Sequence, residues 1–555
     1  MDIKPLNREL SVAAQVTAGD LPAIYAAGVR ALICNRPDGE GPDQPNFSEI
    51  EQAARELGIE THYLPVESGK VSDEQAVAFG ALLERVPRPA LAYCRTGTRS
   101  ATLWALSQAH RQSLPDILQC ARGAGYDLTA VARRIVNGGR IAGDAADASH
   151  DVVIVGAGAA GIAVAASLRT REPGLDVAVI DPADVHYYQP GWTLVGGGVF
   201  APEETARTMG SVLPRGVRWI KAAVAAFEPE KNIVVLDGCR LVKYRKLIVC
   251  PGLKLDWHGV EGLVDTLGRN GVTSNYRYDL APYTWQLVQQ LRGGRALFTQ
   301  PPMPIKCAGA PQKAMYLSCD HWRRSGRLND IDVSFHNAGA VLFGVVDYVP
   351  ALMEYVKLYG IHLNFGSTLT AVDGPARRAT FSVALPDGTK ETVQREYDMI
   401  HVCPPQKAPD FVRASPLADA AGWVEVDHGT LRHARFEHIF SLGDACSAPN
   451  AKTAAAARKQ APVVAENVIA SLAGRDLPAR YDGYGSCPLT VERGKIVLAE
   501  FTYGGKVAPS FPSWLIDGTR PSALAWYLKE RILPPLYWEA MLKGREWLAK
   551  PEIPA

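Results

Sequence analysis

Residues 151–170, DVVIVGAGAAGIAVAASLRT, restrict the fold more than any other part of the chain. The apolar run at 152–155 has the composition of a strand buried on both faces, and it passes straight into a glycine turn and a helical pattern. Each glycine of Gly156-Ala157-Gly158-Ala159-Ala160-Gly161 has its own task. Gly156 permits the tight turn, Gly158 lets the backbone approach a pyrophosphate, and Gly161 lets helix and strand pack closely. The amides at the helix start then face the phosphates. Asp181, closing the next strand VAVID, stands where an acidic residue binds a ribose hydroxyl. A parallel α/β domain that binds a dinucleotide is the expectation.

At 555 residues the chain is too long for one core, so two or three domains are expected. Residues 1–138 alternate short apolar runs (VRALICN, THYLPV, LAYC) with helical patterns, an α/β domain. Residues 139–150 are rich in Gly, Ala and Asp without apolar periodicity and read as a linker. A second α/β alternation fills 151–472. Within 473–555, Trp526, Tyr527, Leu528, Ile532, Leu533, Leu536, Tyr537, Trp538, Met541, Leu542 and Trp547 interleave with Lys529, Arg531, Lys543 and Arg545. That pattern suits an amphipathic helix pair lying in a bilayer interface and broken at Pro534-Pro535, or helices packed on the protein's own surface. No run reaches the roughly 20 apolar residues of a spanning helix. The N-terminus shows no secretory leader. The expected place is the cytoplasmic side of the inner membrane, peripherally bound.

Lys and Arg total 59 against 58 for Asp and Glu, which gives no electrostatic reason to expect nucleic acid. Ten cysteines are scattered without a CxxC pair, so redox or nucleophilic sulfur is expected, and no metal. Two cysteines stand in promising places. After the strand at 296–299 comes QPPMPIKCAGAPQK, where prolines cannot supply the amides that a second pyrophosphate needs, so the reductant is not expected to be a nicotinamide. Cys307 lies there at a helix start, with Lys306 and Lys313 to favour its thiolate. Cys94 ends the strand PALAY and opens Cys94-Arg95-Thr96-Gly97-Thr98-Arg99-Ser100, a strand-loop-helix junction whose amides converge on the sulfur.

The segments Tyr244 to Gly252 and Ile439 to Asp444 join GAGAAG in resembling the flavin disulfide reductases with tandem Rossmann-like domains, which implies FAD, with Asp444 on its ribityl chain. Lys452 opens a helix whose positive end would face the flavin. More closely, HYYQPGWTLVGGG, IKCAGAPQK, SPLADAAGWVEVD and YDGYGSCPL resemble the mitochondrial-type branch of the sulfide:quinone oxidoreductases. The resemblance implies FAD contacts at Ala159, Ala160, Asp181, Gln189 and Val224, and two redox cysteines flanking the flavin. The first falls on Cys307. For the second, the family pattern implies a cysteine after the Gly-Asp pair, and here Ala445 intervenes before Cys446. Cys446 is the expected partner, with Cys250 and Cys403 left as alternatives. Cys319, twelve residues along the same helix, lies about 18 Å away, beyond disulfide reach.

The first 110 residues resemble a sulfurtransferase-related, phosphatase-fold domain found fused to lactamase-fold hydrolases. Tyrosine phosphatases place Arg six positions after Cys. Here Arg99 is at five, like the tighter loop of rhodaneses, which implies sulfur transfer by Cys94 and Arg99. Asp38 either orients Arg99 or acts in proton transfer, or it caps a turn. Together these resemblances imply oxidation of sulfide to a cysteine persulfide, electrons passed to a ubiquinone-type quinone at a membrane surface, and a small thiol, sulfite or cyanide as sulfur acceptor. The rivals are an NADH:quinone oxidoreductase with a phosphatase domain and a sulfide or redox sensor.

Overall fold

The computed structural model describes residues 2–143 and 145–553. They form two compact units: the chain up to Ser149 with Ala223–Lys243 and Asp410–Ala418, and His150–Ala222 with Tyr244–Pro409 and the chain from Asp419 onward.

The first unit is built on a five-stranded sheet in the order Ile3–Pro5, Leu10–Ala13, Ala90–Tyr93, Ala31–Cys34, Glu60–Tyr63. The first pair is antiparallel and the others are parallel. Leu32 and Leu91 pack on one face with Leu21, Ile24 and Ile50, while Ile33 and Ala92 pack on the other with Phe79 and Trp104. The inner strands Ala31–Cys34 and Ala90–Tyr93 are therefore apolar and buried at every position, as a sheet covered on both faces requires. Ala90–Tyr93 is the central strand, and Cys94 leaves its carboxyl end next to the loop that leaves Ala31–Cys34.

Two excursions from the later sequence belong to this unit. The strands Val224–Glu228 and Ile233–Leu236 pair antiparallel, and Ala226, Ile233, Val235, Leu241 and Ala414 share one core with Leu118, Ala121, Ala132 and Ile135. Arg122 Nη1 donates to Arg413 O at 2.8 Å. The expected linker is correspondingly shorter and less free: Ile141 N donates to Asp73 Oδ1 at 3.0 Å, and strand Ala148–Val155 has begun before residue 150.

The second unit holds most of a mixed seven-stranded sheet and a parallel five-stranded sheet. In one, Val217–Ile220, Val177–Ile180, Ala148–Val155, Leu241–Val249 and Ile439–Ser441 are neighbours in that order. In the other the order is Val272–Thr273, Met399–His401, Gly294–Gln300, Ile331–Asn337, His362–Phe365. The span from 473 contributes to the same unit. Its hairpin Gly485–Glu492 with Lys495–Phe501 packs Cys487, Leu489 and Val491 into the core of helix Ala310–Arg324. The helix pair expected there is a run of short α and π turns from Ala523 to Ala540 that Pro534-Pro535 does not break. Trp526, Tyr537, Trp538, Met541 and Leu542 are buried, while Tyr527, Ile532 and Trp547 are exposed, as are Leu524, Trp514 and Leu515. Among the described residues no helix is long and apolar enough to cross a membrane.

Candidate active sites

The glycine turn is held from three sides. A Cβ on Gly156, at φ +102°, would lie 2.6 Å from Cys250 O, and one on Gly161 only 1.8 Å from Gly156 O, so neither position accepts a side chain. Gly443, at φ +73°, meets Ala160 at 3.0 Å. The segments at 156–161, 250–252 and 443–444, far apart in sequence, thus converge. Asp181 Oδ2 accepts from Ala157 N at 2.7 Å and fixes the loop. The loop carbonyl Ala157 O accepts from His186 Nδ1 at 3.0 Å, so Nε2 of this neutral ring takes the hydroxyl proton bond of Tyr537 at 2.6 Å. Burial keeps His186 below its ordinary pKa.

This cleft fits FAD. Nothing lies within 4 Å of a Cβ placed on Gly158, leaving open space over the first turn of helix Ala159–Arg171. Gln460 spends Oε1 on Gly443 N, and its buried Nε2 has no partner among the described residues. Asp444 is recessed, its carboxyl raised by burial against the pull of Lys452 and Lys306. The Lys452 ammonium donates to Asp444 O at 2.8 Å and Cys446 O at 3.1 Å, so it braces this turn. Gln189 Oε1 accepts from Lys306 Nζ at 2.6 Å. Val224 opens a strand of the first unit.

Cys307 is half-buried, in the left-handed region at φ 51°, and its amide donates to Lys452 O at 2.8 Å. Such strain in a residue other than glycine persists where surrounding contacts impose it, commonly at functional sites. Cys307 Sγ lies 3.3 Å from Cys487 Sγ and accepts from Lys313 Nζ at 3.0 Å. Gly309 packs against the hairpin beside the pair, where a Cβ would meet Cys487 Sγ at 2.6 Å and Leu489 Cδ2 at 2.2 Å. The hydrogen bond from Cys487 and the Lys313 ammonium hold Cys307 well below the ordinary thiol range, and the shared proton pushes Cys487 up. Behind the pair, Lys529 is buried and donates to Thr490 Oγ1 at 3.2 Å and Pro488 O at 3.4 Å. Burial, helped by Lys313, pulls it down to about 7.

The structure does not bring Cys446 to Cys307. Cys446 leaves the short turn Gly443–Ala445 in an extended conformation that folds its Sγ back onto Gly443 O at 3.2 Å, and burial raises its thiol. Cys487, inside the segment YDGYGSCPL, and Lys529, a charge on the amphipathic stretch, join the site with no local sequence pattern that marks them. Lys306 turns toward Gln189 and the rings of Trp192 and Tyr276.

In the first unit, Cys94 Sγ accepts from Gly97 N at 3.1 Å. Gly97 is the cap of helix Thr98–Ser107 at φ +90°, and a Cβ there would strike Tyr126 Oη at 2.0 Å. Arg99 Nη1 donates to Val66 O at 2.6 Å and Nη2 to Glu40 Oε2 at 2.7 Å. Asp38 instead accepts from Phe47 N at 2.8 Å, at the start of helix Phe47–Glu56, so it caps and Glu40 orients. Ser100 Oγ donates to Asn35 Oδ1 at 2.8 Å and ties the Cys94 loop to its neighbour.

Comparison with known proteins separates the halves as the geometry does. Residues 2–111 match the phosphatase-like domain of beta-lactamase hydrolase-like proteins, and residues 150–284 match the pyridine nucleotide-disulphide oxidoreductases. A protein of Dictyostelium discoideum named mitochondrial sulfide:quinone oxidoreductase is 42% identical over 403 residues, 72% of this chain and 87% of its own length. The chain belongs to the sulfide:quinone oxidoreductase family. Its cofactor is FAD, and it is an oxidoreductase. The structure of the family's member from Aquifex aeolicus covers 72% of this chain and 92% of its own with a TM-score of 0.59 at 17% identity, a likeness of fold. Over 130 residues the other half is 32% identical to a beta-lactamase hydrolase-like protein of Agrobacterium fabrum, 23% of this sulfide:quinone oxidoreductase family chain and 30% of that one.

Proposed function

We propose that the second unit oxidises sulfide with Cys307 and Cys487 as its redox pair and delivers the electrons to a ubiquinone-type quinone. The observation that carries this is the 3.3 Å approach of the two sulfurs under Lys313. In the oxidised pair, hydrosulfide attacks one sulfur, the Cys–Cys bond breaks, and one side leaves as a thiolate while the other keeps the new sulfur as a persulfide. The better leaving group is the sulfur with the lower pKa. Lys313 makes that Cys307, so attack falls on Cys487 and the persulfide forms there. Lys529, pulled down to about 7, is placed to exchange a proton with the incoming hydrosulfide. Bound FAD supplies the two-electron acceptor that connects the thiolate to quinone. A small thiol, sulfite or cyanide then takes the outer sulfur.

The exposed group of Trp514, Leu515, Leu524, Tyr527 and Ile532 is the surface we assign to the membrane, on the cytoplasmic side of the inner membrane. In the first unit, Cys94 carries sulfur between small donors and acceptors in its ring of amides.

An anaerobic titration of the holoenzyme decides the main reading. Sulfide should bleach the flavin absorbance at once, NADH should not, and added quinone should restore it. Bleaching by NADH and not by sulfide overturns the assignment.

A further inference from the structure

The Arg99 guanidinium faces the Cys94 sulfur, yet both of its terminal nitrogens are already engaged, one on Val66 O and one on Glu40 Oε2. The same Glu40 oxygen accepts from Arg36 Nε at 2.8 Å, and Arg36 Nη1 donates to Gln15 Oε1 at 2.8 Å. Each arginine is 8% exposed, and Glu40, with its side chain 23% exposed, closes the cluster toward the surface. The Arg99 hydrogen bond, helped by Arg36, holds the Glu40 carboxyl below its ordinary range, which keeps it ionised. Gly41 makes the room: a Cβ there would lie 2.9 Å from Arg36 Nη2. Within this cluster two positive charges and one negative leave a net single positive charge beside the Cys94 loop.

Arginine recognises phosphates and related oxyanions through a pair of parallel N–H bonds. With one N–H of each terminal nitrogen taken, Arg99 meets a ligand through its three remaining N–H groups while Glu40 stays bound to it. A doubly charged ligand would sit beside a fixed carboxylate, and like charges brought together disfavour binding. A phosphate monoester carries close to two charges at neutral pH, and thiosulfate carries two. An alkyl persulfide carries at most one, on the sulfur itself.

We propose that Glu40 is a specificity residue of the Cys94 site, which by keeping a carboxylate on Arg99 makes the site accept alkyl persulfides in preference to the dianions thiosulfate and phosphate monoesters. This rests on the reading of Cys94 as a sulfur-transfer nucleophile. The Cys94 thiolate attacks the outer sulfur of RS–SH, a Cys94 S–S bond forms, the RS–S bond breaks, and the electron pair leaves on RS⁻, which takes a proton from water. No net oxidation occurs. The donor class is what sulfide oxidation yields when a small thiol collects the persulfide sulfur.

The test uses the full-length holoenzyme with glutathione persulfide, thiosulfate and p-nitrophenyl phosphate, each corrected by the rate remaining in Cys94→Ser. In the wild type, kcat/KM should be highest for the persulfide. Glu40→Gln should raise the two dianions relative to the persulfide by about tenfold or more, and Glu40→Asp should keep the wild-type order. A Glu40→Gln variant in which all three rates fall by one common factor overturns the proposal, since Glu40 would then merely hold Arg99. A wild type that prefers thiosulfate also overturns it, and needs no variant to fold. If Cys94→Ser transfers sulfur as well as the wild type from every donor, it is the underlying reading of Cys94 that fails, whatever Glu40 does.

Discussion

Around Cys94 the sulfur is met by the amide of Gly97, three residues on, and by Arg99, five residues on. Around Cys307 the partners are Lys313 on the following helix, Cys487 on a strand 180 residues later, and Lys529 beyond that. In one site the sulfur's own contacts come from its loop, with Glu40 and Val66 holding the arginine, and the other exists only when elements far apart in sequence have packed. The difference predicts how each fails. Substitutions near Cys94 act on the loop itself, whereas the Cys307 site is vulnerable to changes that touch neither sulfur.

The largest effect should come from the redox pair. Cys307→Ala should abolish sulfide-dependent quinone reduction, about a thousandfold or more, equivalent to ~4 kcal/mol of transition-state stabilisation, with FAD still bound by its absorbance. Cys487→Ser should be nearly as severe, and Cys446→Ser should stay within about twofold. A silent Cys487→Ser with a dead Cys446→Ser would break the contrast by returning the second sulfur to the Gly-Asp turn. Next in size, Gly309→Ala should lower turnover by about tenfold, because its Cβ must displace Cys487 or Leu489. Unchanged turnover would show that the two sulfurs need not be held together from this side.

A smaller, pH-dependent effect sharpens the electrostatic part. Cys307 is held below the ordinary thiol value by the Cys487 hydrogen bond and Lys313, so in the reduced enzyme its alkylation by iodoacetamide should persist at pH values where ordinary thiols are protonated, and fail only as pH falls through that lowered pKa. Lys313→Met should move the midpoint upward. A midpoint unmoved by Lys313→Met would assign the shift to Cys487 alone. The smallest effect is expected across the two units: Cys94→Ser should leave sulfide-dependent quinone reduction within about twofold while removing the sulfur transfer that depends on Cys94.

What the sequence made legible follows the same division. GAGAAG and the Cys94 loop were readable because strand, turn and helix are consecutive, and each glycine has a local reason to be there. Asp444 was readable as part of a short strand-end signal. Cys487 was not, because its nearness to Cys307 depends on how a hairpin packs against a helix across Gly309, and no local pattern encodes that packing. The available signals were a cysteine within YDGYGSCPL and a glycine just after Cys307. The aromatic stretch from Trp526 misled in part, since an apolar stripe looks the same whether it faces lipid or its own protein. Tyr537 and Trp538 face inward, against His186 and Tyr188. For Asp38 and Glu40, two residues apart, only the folded loop distinguishes the helix cap from the arginine partner.

The excursions Ala223–Lys243 and Asp410–Ala418 give the first unit a history during synthesis. Its core, with Leu118 and Ile135, lacks Ala226, Ile233, Val235 and Ala414 until codons far downstream have been read. At roughly 5–20 residues per second, the ribosome leaves that face unfinished for a period on the order of tens of seconds. The nascent domain therefore waits, partly uncovered and open to chaperones, until much of the flavoprotein has emerged. A fusion that looks like one gene placed ahead of another is, on the ribosome, a single folding job that cannot be completed in reading order.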